Sequence, residues 1–171
     1  MIINSKHLVI FTGAGISTAS GLSDYRGPDG VWTRRDKGLK PLSIRIPWNK
    51  IQPNDVHYRI VDLFKLGLVK AVLSQNVDGL HLDSGLETEI LAEIHGNKNL
   101  MKCKSCDSRF TKSEIHWNED EFGKGYRSSS PVAGQPSCTV CGGQIISSII
   151  NFGDPMPEKE TEFSLTHSKI S

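Results

Sequence analysis

His7-Leu8-Val9-Ile10-Phe11-Thr12-Gly13-Ala14-Gly15-Ile16-Ser17 is the stretch that decides the fold. Its apolar run, Leu8 to Phe11, stops at Gly13 and reads as a short buried strand, His7–Thr12. Glycines after a strand let the main chain approach a diphosphate and turn N–H groups toward it, which suits Thr12-Gly13-Ala14-Gly15-Ile16-Ser17 to a nucleotide. The pattern is incomplete. Thr18 stands where a full G-x-G-x-x-G has its last glycine, and Asp36, the acidic residue about 20 positions on, falls in a loop rather than at a strand end. A plain tight turn is the other reading of these glycines.

Outward from this stretch, the small and turn-forming residues of Gly13–Gly30 predict a loop with one short helix. Asp36–Pro53, which contains Pro41, Pro47 and Pro53, predicts irregular chain. Asn54 can cap a helix whose apolar residues Val56, Ile60, Val61, Phe64 and Leu68 recur at helical spacing, with Gly67 at its end. Val69–Ser74 is a second strand. The order strand, glycine loop, helix, strand predicts a parallel α/β sheet whose strands end at ligand-binding loops. A helical stretch with Ile90, Leu91 and Ile94 leads to His95, and the isoleucine-rich Ile145–Phe152 predicts a third strand of the same sheet.

Two loops carry further chemistry. Asp24-Tyr25-Arg26-Gly27-Pro28 with Gly30-Val31-Trp32 can cover a nucleotide, Arg26 pairing with phosphate and the rings shielding a ribose bond; a surface loop anchored by Trp32 is the alternative. Gln75-Asn76-Val77-Asp78-Gly79-Leu80-His81 follows the second strand. Its Gln75, Asn76 and Asp78 offer groups suited to ribose hydroxyls, a carboxamide or an ordered water, or else form an Asx turn closed by Gly79. Of the six histidines, His95 stands out by its place before Gly96, where an imidazole can serve as general base. His7, His57, His81, His116 and His167 read as structural.

Cys103-Lys104-Ser105-Cys106 and Cys138-Thr139-Val140-Cys141-Gly142-Gly143 are two C-x-x-C knuckles. Two residues between thiols let both sulfurs reach one tetrahedral zinc, and a closed set of four leaves no open position for a catalytic water, so this zinc is structural. A redox pair is the rival, but that chemistry needs one C-x-x-C opening a helix. The linker Asp107–Ser137 exceeds the roughly 15–20 residues of an ordinary zinc ribbon, which predicts an extra loop.

Composition bounds these readings. A chain of 171 residues accommodates one good core and a small appended module. A net charge of +1, from 20 basic and 19 acidic residues, gives no field for nucleic acid or an anionic membrane. The densest basic stretch, Arg34, Arg35, Lys37, Lys40 and Arg45, reads as a solvated loop. Neither a secretory signal nor an apolar run long enough to span a bilayer is visible, so the chain reads as intracellular, where thiols stay reduced.

Taken in order, Gly13-Ala14-Gly15-Ile16-Ser17, Asp24-Tyr25-Arg26-Gly27, Gln75-Asn76-Val77-Asp78-Gly79-Leu80-His81, His95-Gly96-Asn97, the two knuckles and Asn151-Phe152-Gly153-Asp154 resemble the sirtuins, the Sir2-type NAD-dependent protein deacylases. The resemblance covers about Lys6 to Pro157. Asp24–Thr33 looks like the class IV, nuclear and chromatin-associated branch. It implies a partial Rossmann-like, doubly wound parallel sheet, residues 1–100 with 144–171, and an inserted zinc module, residues 101–143. NAD and an acyl-lysine protein, histone tails among the candidates, would meet in the cleft between them. By resemblance Gly13, Ala14, Gly15, Ser17, Thr18, Asp24, Tyr25, Arg26 and Trp32 line the NAD pocket, and Gln75, Asn76 and Asp78 the nicotinamide ribose. His95 is the catalytic base, and Cys103, Cys106, Cys138 and Cys141 hold Zn²⁺.

The reaction so implied begins with attack of the acyl oxygen on the nicotinamide ribose, releasing nicotinamide. His95 then accepts a proton from the ribose hydroxyls, and lysine and O-acyl-ADP-ribose are the products. Sirtuins continue with a Gly-Thr/Ser-Ser loop and further strands for the adenosine half of NAD. Relative to that pattern the chain is C-terminally shortened, with Glu158–Ser171 a polar helical stretch and the third strand an exposed edge. Three readings follow: a deacylase, weakened or silent if the missing strands are required; a mono-ADP-ribosyltransferase using the same pocket; or a non-catalytic, zinc-stabilised binding module.

Overall fold

The computed structural model describes residues 4–40, 42, 46–151 and 153–169. Arg45 of the basic stretch, Phe152 of the predicted third strand, and Ile170 and Ser171 lie outside the described residues. Strand β1, Leu8–Thr12, pairs in parallel with β2, Val69–Ser74, and β2 pairs in parallel with β3, Leu91–Glu93, giving the order β1-β2-β3. Central β2 is buried at every position except Lys70, as expected of a parallel strand covered on both faces. Between β1 and β2 the chain forms the 3-10 helix Ala14–Ser20, the short helix α1, Val31–Asp36, the 3-10 turn Trp48–Lys50 and the helix α2, Asp55–Lys65.

Helix α2 starts where Asn54 predicts. The Asn54 side chain accepts from the Val56 N–H at 3.0 Å, and the Asn54 N–H donates to His57 Nδ1 at 3.3 Å, a reciprocal cap. Ile60 and Val61 bury against Val69, Val72 and Leu86, with Leu8, Ile10, Ile16, Leu63, Phe64, Ile90 and Leu91 at the margin. Val56 departs from the predicted apolar face and is exposed, while the adjacent His57 takes the buried place in that first turn. Phe11 of edge strand β1 is exposed as well.

Two expected elements are corrected. Ile90, Leu91 and Ile94 are not helical: a 3-10 turn, Thr88–Ile90, leads into β3, and the Ile94 N–H donates to the Ser74 carbonyl at 3.0 Å. A short apolar run has no period of its own, and here pairing with β2 decides its state. The Ile145–Phe152 run is not a third strand of the parallel sheet. Strand β6, Ile145–Ser147, pairs antiparallel with β4, Leu100–Cys103, which pairs with β5, Arg109–Thr111, in a second sheet ordered β5-β4-β6. Cys103, the last residue of β4, lies opposite Ile145, so the knuckle before β6 draws that strand to the first knuckle.

Met101, Cys103, Ile115, Trp117, Cys138 and Ile145 form the core of this second unit. The long linker holds helix α4, Glu119–Phe122, whose Phe122 meets Trp117 edge to face at 5.5 Å, while Trp117 Nε1–H donates to the Gly123 carbonyl at 2.9 Å. Between β2 and β3 lies the short helix α3, Leu80–Asp83, and after β6 the helix α5, Glu158–Ser168, packs on β2 and β3. Glu160 of α5 is ion-paired to Arg109 of β5, so α5 touches both units.

The two units join through the connector between β3 and β4. The Asn97 N–H donates to Ser148 Oγ at 3.0 Å, Ser148 Oγ–H donates to the Asn97 carbonyl at 2.8 Å, and the Ile150 N–H donates to the His95 carbonyl at 3.0 Å. Gly96 makes this approach possible: its φ is +82°, and a Cβ there would lie 2.1 Å from the Ser148 carbonyl oxygen. Gly96→Ala combines left-handed strain with a backbone clash and is expected to cost about 3 kcal/mol or more. A thermal melt of the variant would show this as a midpoint roughly 10 °C lower; an unchanged midpoint would contradict the tight seam.

Candidate functional site

Parallel pairing brings three loops to one edge. Thr12 ends β1 opposite Ser74, the last residue of β2, and Ser74 lies opposite Glu93, the last of β3. The Gln75 N–H donates to the Thr12 carbonyl at 3.0 Å, so the glycine loop, the 75–81 loop and the 94–99 connector leave the sheet side by side. This carboxyl edge is where α/β sheets bind ligands.

Polar side chains lock the first two loops together. Ser17 Oγ–H donates to Asp78 Oδ2 at 2.7 Å, and the Leu80 N–H donates to Asp78 Oδ1 at 3.0 Å, so both carboxylate oxygens are satisfied and Asp78 caps the entry to α3. Asn76 Nδ2 donates to the Gly13 carbonyl at 3.2 Å and to Ser17 Oγ at 3.3 Å. Ser17, Asn76 and Asp78 are all buried. Asn54 extends the network, donating to the Ile16 carbonyl at 2.8 Å and to Ser20 Oγ at 2.9 Å. Thr18 is exposed, and its hydroxyl donates to the Gly15 carbonyl at 2.9 Å.

His95 joins from the third loop. Its Nδ1 lies 2.9 Å from the Gln75 carbonyl oxygen. A carbonyl only accepts, so Nδ1 carries the hydrogen and Nε2 of the neutral ring is left as a lone pair. Half-buried beside the loop ends, that nitrogen can take a proton.

Behind His95, Asn97 Nδ2 donates to both oxygens of Glu93 at 2.9 Å. Glu93 is 8% exposed, and burial pushes its carboxyl up to about 7. The Asn97 bond opposes that shift, Asp78 adds to it, Arg109 opposes it and Glu160 adds to it. Lys98, next along the connector, holds its ammonium 4.1 Å from the centre of the Trp48 ring and so ties the 3-10 turn Trp48–Lys50 to the site.

Tyr25, Arg26 and Trp32 gather into a cluster of their own. The Tyr25 and Trp32 rings lie 4.9 Å apart, and the Arg26 guanidinium sits 4.9 Å from the Trp32 ring centre while pairing with Asp36 at 3.0 Å. Asp24 turns inward and accepts from the Gly27 N–H at 3.0 Å, shaping the loop. Arg34 of the basic stretch is likewise engaged, with the Lys40 carbonyl at 2.8 Å and Asp29 at 3.4 Å.

The four cysteines converge although 32 and 38 positions separate the members of each close pair. Cys103 and Cys141 sulfurs are 3.5 Å apart, Cys106 and Cys138 sulfurs 3.6 Å, and all four lie within 4.8 Å of one another. Such spacing is too long for a disulfide and near the roughly 3.8 Å edge of a tetrahedron with Zn–S bonds of about 2.3 Å. Gly143 is required by it, since a Cβ there would lie 2.9 Å from Cys103 Sγ. The donor set is therefore compatible with zinc.

Thr12, His57, His81, Glu93 and Asn97 also build the polar network. Thr12 and His81 meet across 69 positions, which no local pattern announces, whereas the Asn54–His57 and Glu93–Asn97 bonds span three and four positions, spacings at which a local contact could be sought.

Comparison with known proteins agrees with this architecture. Residues 40–170 match the model of the Sir2 family. The chain is 36% identical to the NAD-dependent protein deacetylase Sirt6 of Drosophila melanogaster, over 100% of its own length and 53% of the relative's. It is 36% identical to the NAD-dependent protein deacetylase SRT1 of Arabidopsis thaliana, over 99% of this chain and 34% of the relative, and 40% identical to sirtuin-7 of Rattus norvegicus, over 88% and 36%. A solved Sir2 structure with a p53 peptide and NAD+ superposes with a TM-score of 0.63 at 28% identity, over 98% of this chain and 68% of that one. The fold and its cysteine cluster are those of a Sir2-type domain, and the chain belongs to the Sir2 family. It spans between about one third and one half of these curated relatives' lengths. No helix among the described residues is long and apolar enough to cross a membrane.

Glu93 yields a test of the buried seam. Its folded-state carboxyl titrates above the ordinary 4.5, so the folded chain binds the extra proton, and stability present at low pH is lost as pH rises from about 4.5 through about 7. Glu93→Gln removes that dependence. Urea unfolding should find the variant more stable than the parent at pH 8, by on the order of 2 kcal/mol, and equal to it near pH 4.5. A variant less stable at pH 8 would mean that the Glu93 charge is needed.

Proposed function

We propose that this chain carries the catalytic half of an NAD-dependent protein-lysine deacylase, with an acetyl-lysine protein as substrate. The observation that supports it best is the tautomer of His95: the Gln75 carbonyl occupies Nδ1 and leaves Nε2 basic beside the loops. NAD supplies the electrophilic ribose carbon that takes up the acyl oxygen. In this reading His95 Nε2 accepts a proton from a ribose hydroxyl, and the charge it gains is spread onto the Gln75 carbonyl through Nδ1–H. Asn76 and Asp78 hold the floor of the ribose site, with Gln75 at its rim. The glycine loop, Gly13-Ala14-Gly15 with Ser17 and Thr18, turns N–H groups to the diphosphate. Tyr25, Arg26 and Trp32, with Asp24 shaping their loop, form a cover that closes over the dinucleotide.

Cys103, Cys106, Cys138 and Cys141 would hold a structural zinc, which fastens β4 to the knuckle before β6 and takes no chemical part. The division into an NAD-binding part, residues 1–100 with 144–171, and a zinc module, residues 101–143, belongs to this proposal, although β6, Ile145–Ser147, pairs with β4 in the second sheet. Likeness of Asp24–Thr33 to the chromatin-associated branch supports a nuclear location and histone tails as targets.

Mass spectrometry of an acetyl-lysine peptide incubated with NAD and the zinc-loaded chain tests the reading. Deacetylated peptide with O-acetyl-ADP-ribose is expected, and His95→Ala should lower its rate at least about 100-fold. ADP-ribose carried on a protein side chain with the acetyl group intact would point to transfer instead. Equal rates in the two chains would remove His95 from the chemistry.

A further inference from the structure

Two imidazoles lie behind the site with no part in the chemistry just described. His57, in the first turn of α2, is 0% exposed and His81, in α3, is 1% exposed; their rings meet edge to face with centroids 5.1 Å apart. Each has one nitrogen with a partner. His57 Nδ1 faces the Asn54 N–H at 3.3 Å, and His81 Nε2 lies 2.9 Å from the Thr12 hydroxyl. The other two nitrogens, His57 Nε2 and His81 Nδ1, are buried without a hydrogen-bond partner.

Counting hydrogens assigns the tautomers. A backbone N–H only donates, so His57 Nδ1 is the acceptor and the neutral ring carries its hydrogen on Nε2. Both rings stay neutral, because burial lowers His57 from its ordinary value and takes His81 down to about 4, where His57 lowers it further and the Asp78 carboxylate opposes the shift in both. A buried N–H without an acceptor costs about 1–3 kcal/mol. The other unfilled buried nitrogen of this ring pair is His81 Nδ1. The two nitrogens make no direct hydrogen bond, and a single water accepting from His57 Nε2–H and donating to His81 Nδ1 would satisfy both. His81 then carries its hydrogen on Nε2 and donates to Thr12 Oγ, so the Thr12 hydroxyl hydrogen is not spent on the imidazole.

We propose that Asn54, His57, His81 and Thr12 form a directed hydrogen-bond relay that leaves the Thr12 hydroxyl as a donor to a diphosphate oxygen at the glycine loop. His57 and His81 are positioning residues, acting through Thr12, the residue before Gly13. The His57 tautomer follows from the Asn54 N–H; the His81 tautomer belongs to the proposal, and the ligand end rests on the NAD reading above.

Two measurements on the zinc-loaded chain test it. Imidazole nitrogen shifts and couplings in histidine labelled with nitrogen-15 should find both rings neutral, with hydrogen on Nε2, from pH 6 to 8. A His81 ring with hydrogen on Nδ1, or either ring cationic at pH 7, would overturn the relay. NAD titration calorimetry then compares the parent with His81→Leu, Thr12→Val, the double variant and His81→Gln, whose amide nitrogen reaches the place of Nε2. His81→Leu and Thr12→Val should each weaken NAD roughly tenfold, the double variant no more than either, and His81→Gln little. Unchanged affinity in Thr12→Val, or additive losses in the double variant, would refute the donor role. Thr12→Val keeps the shape of the side chain, so it decides the matter even if His81→Leu fails to fold. A parent chain that binds no NAD would refute the ligand end and the functional reading together, while the nitrogen spectra still decide the relay.

Discussion

The hydrogen bond from the Gln75 N–H to the Thr12 carbonyl continues the β1–β2 ladder one residue past the end of both strands, and the candidate chemistry hangs from that extension. It fixes the 75–81 loop against the glycine loop, which lets Asn76 reach the Gly13 carbonyl and Asp78 reach Ser17. It also orients the Gln75 carbonyl, which receives His95 Nδ1–H from the connector after β3. A register slip of one residue between β1 and β2 would turn these groups to the opposite face and separate all three loops.

Burial makes the arrangement rigid. Ser17, Asn76, Asp78, His57 and His81 are buried, where an unmet hydrogen bond is expensive, so each side chain has few alternatives to its present partner. The seam between the two units follows the same logic, with Asn97 bound to Glu93 below and to Ser148 across the gap. Polar pins of this kind specify direction better than apolar contact does, which suits a seam between two sheets.

Features with a local cause were legible in the sequence. The apolar run before Gly13 gave β1 and Asn54 gave the start of α2, because each depends on neighbours a few residues away; the two C-x-x-C knuckles gave the cysteine cluster through the four ligands that one zinc demands, although its close pairs lie 32 and 38 positions apart. Sheet membership was not legible: Ile145 and Ile146 are fully buried in the antiparallel sheet and would have been so in the parallel one, and Ile90–Ile94 has no period that separates strand from turn. Asp24 looked available to a ligand because its acceptor role within its own loop depends on where Gly27 folds. His57 and His81 were read as structural, and nothing in their flanking residues announces that they meet.

The partner of His95 is a main-chain atom, and this bears on how the site tolerates change. A side-chain acceptor can be lost by a single substitution, whereas the carbonyl of residue 75 is present whichever amino acid occupies that position. The tautomer of the base is thus insulated from variation at Gln75, and the lone pair on Nε2 is preserved whichever side chain stands there.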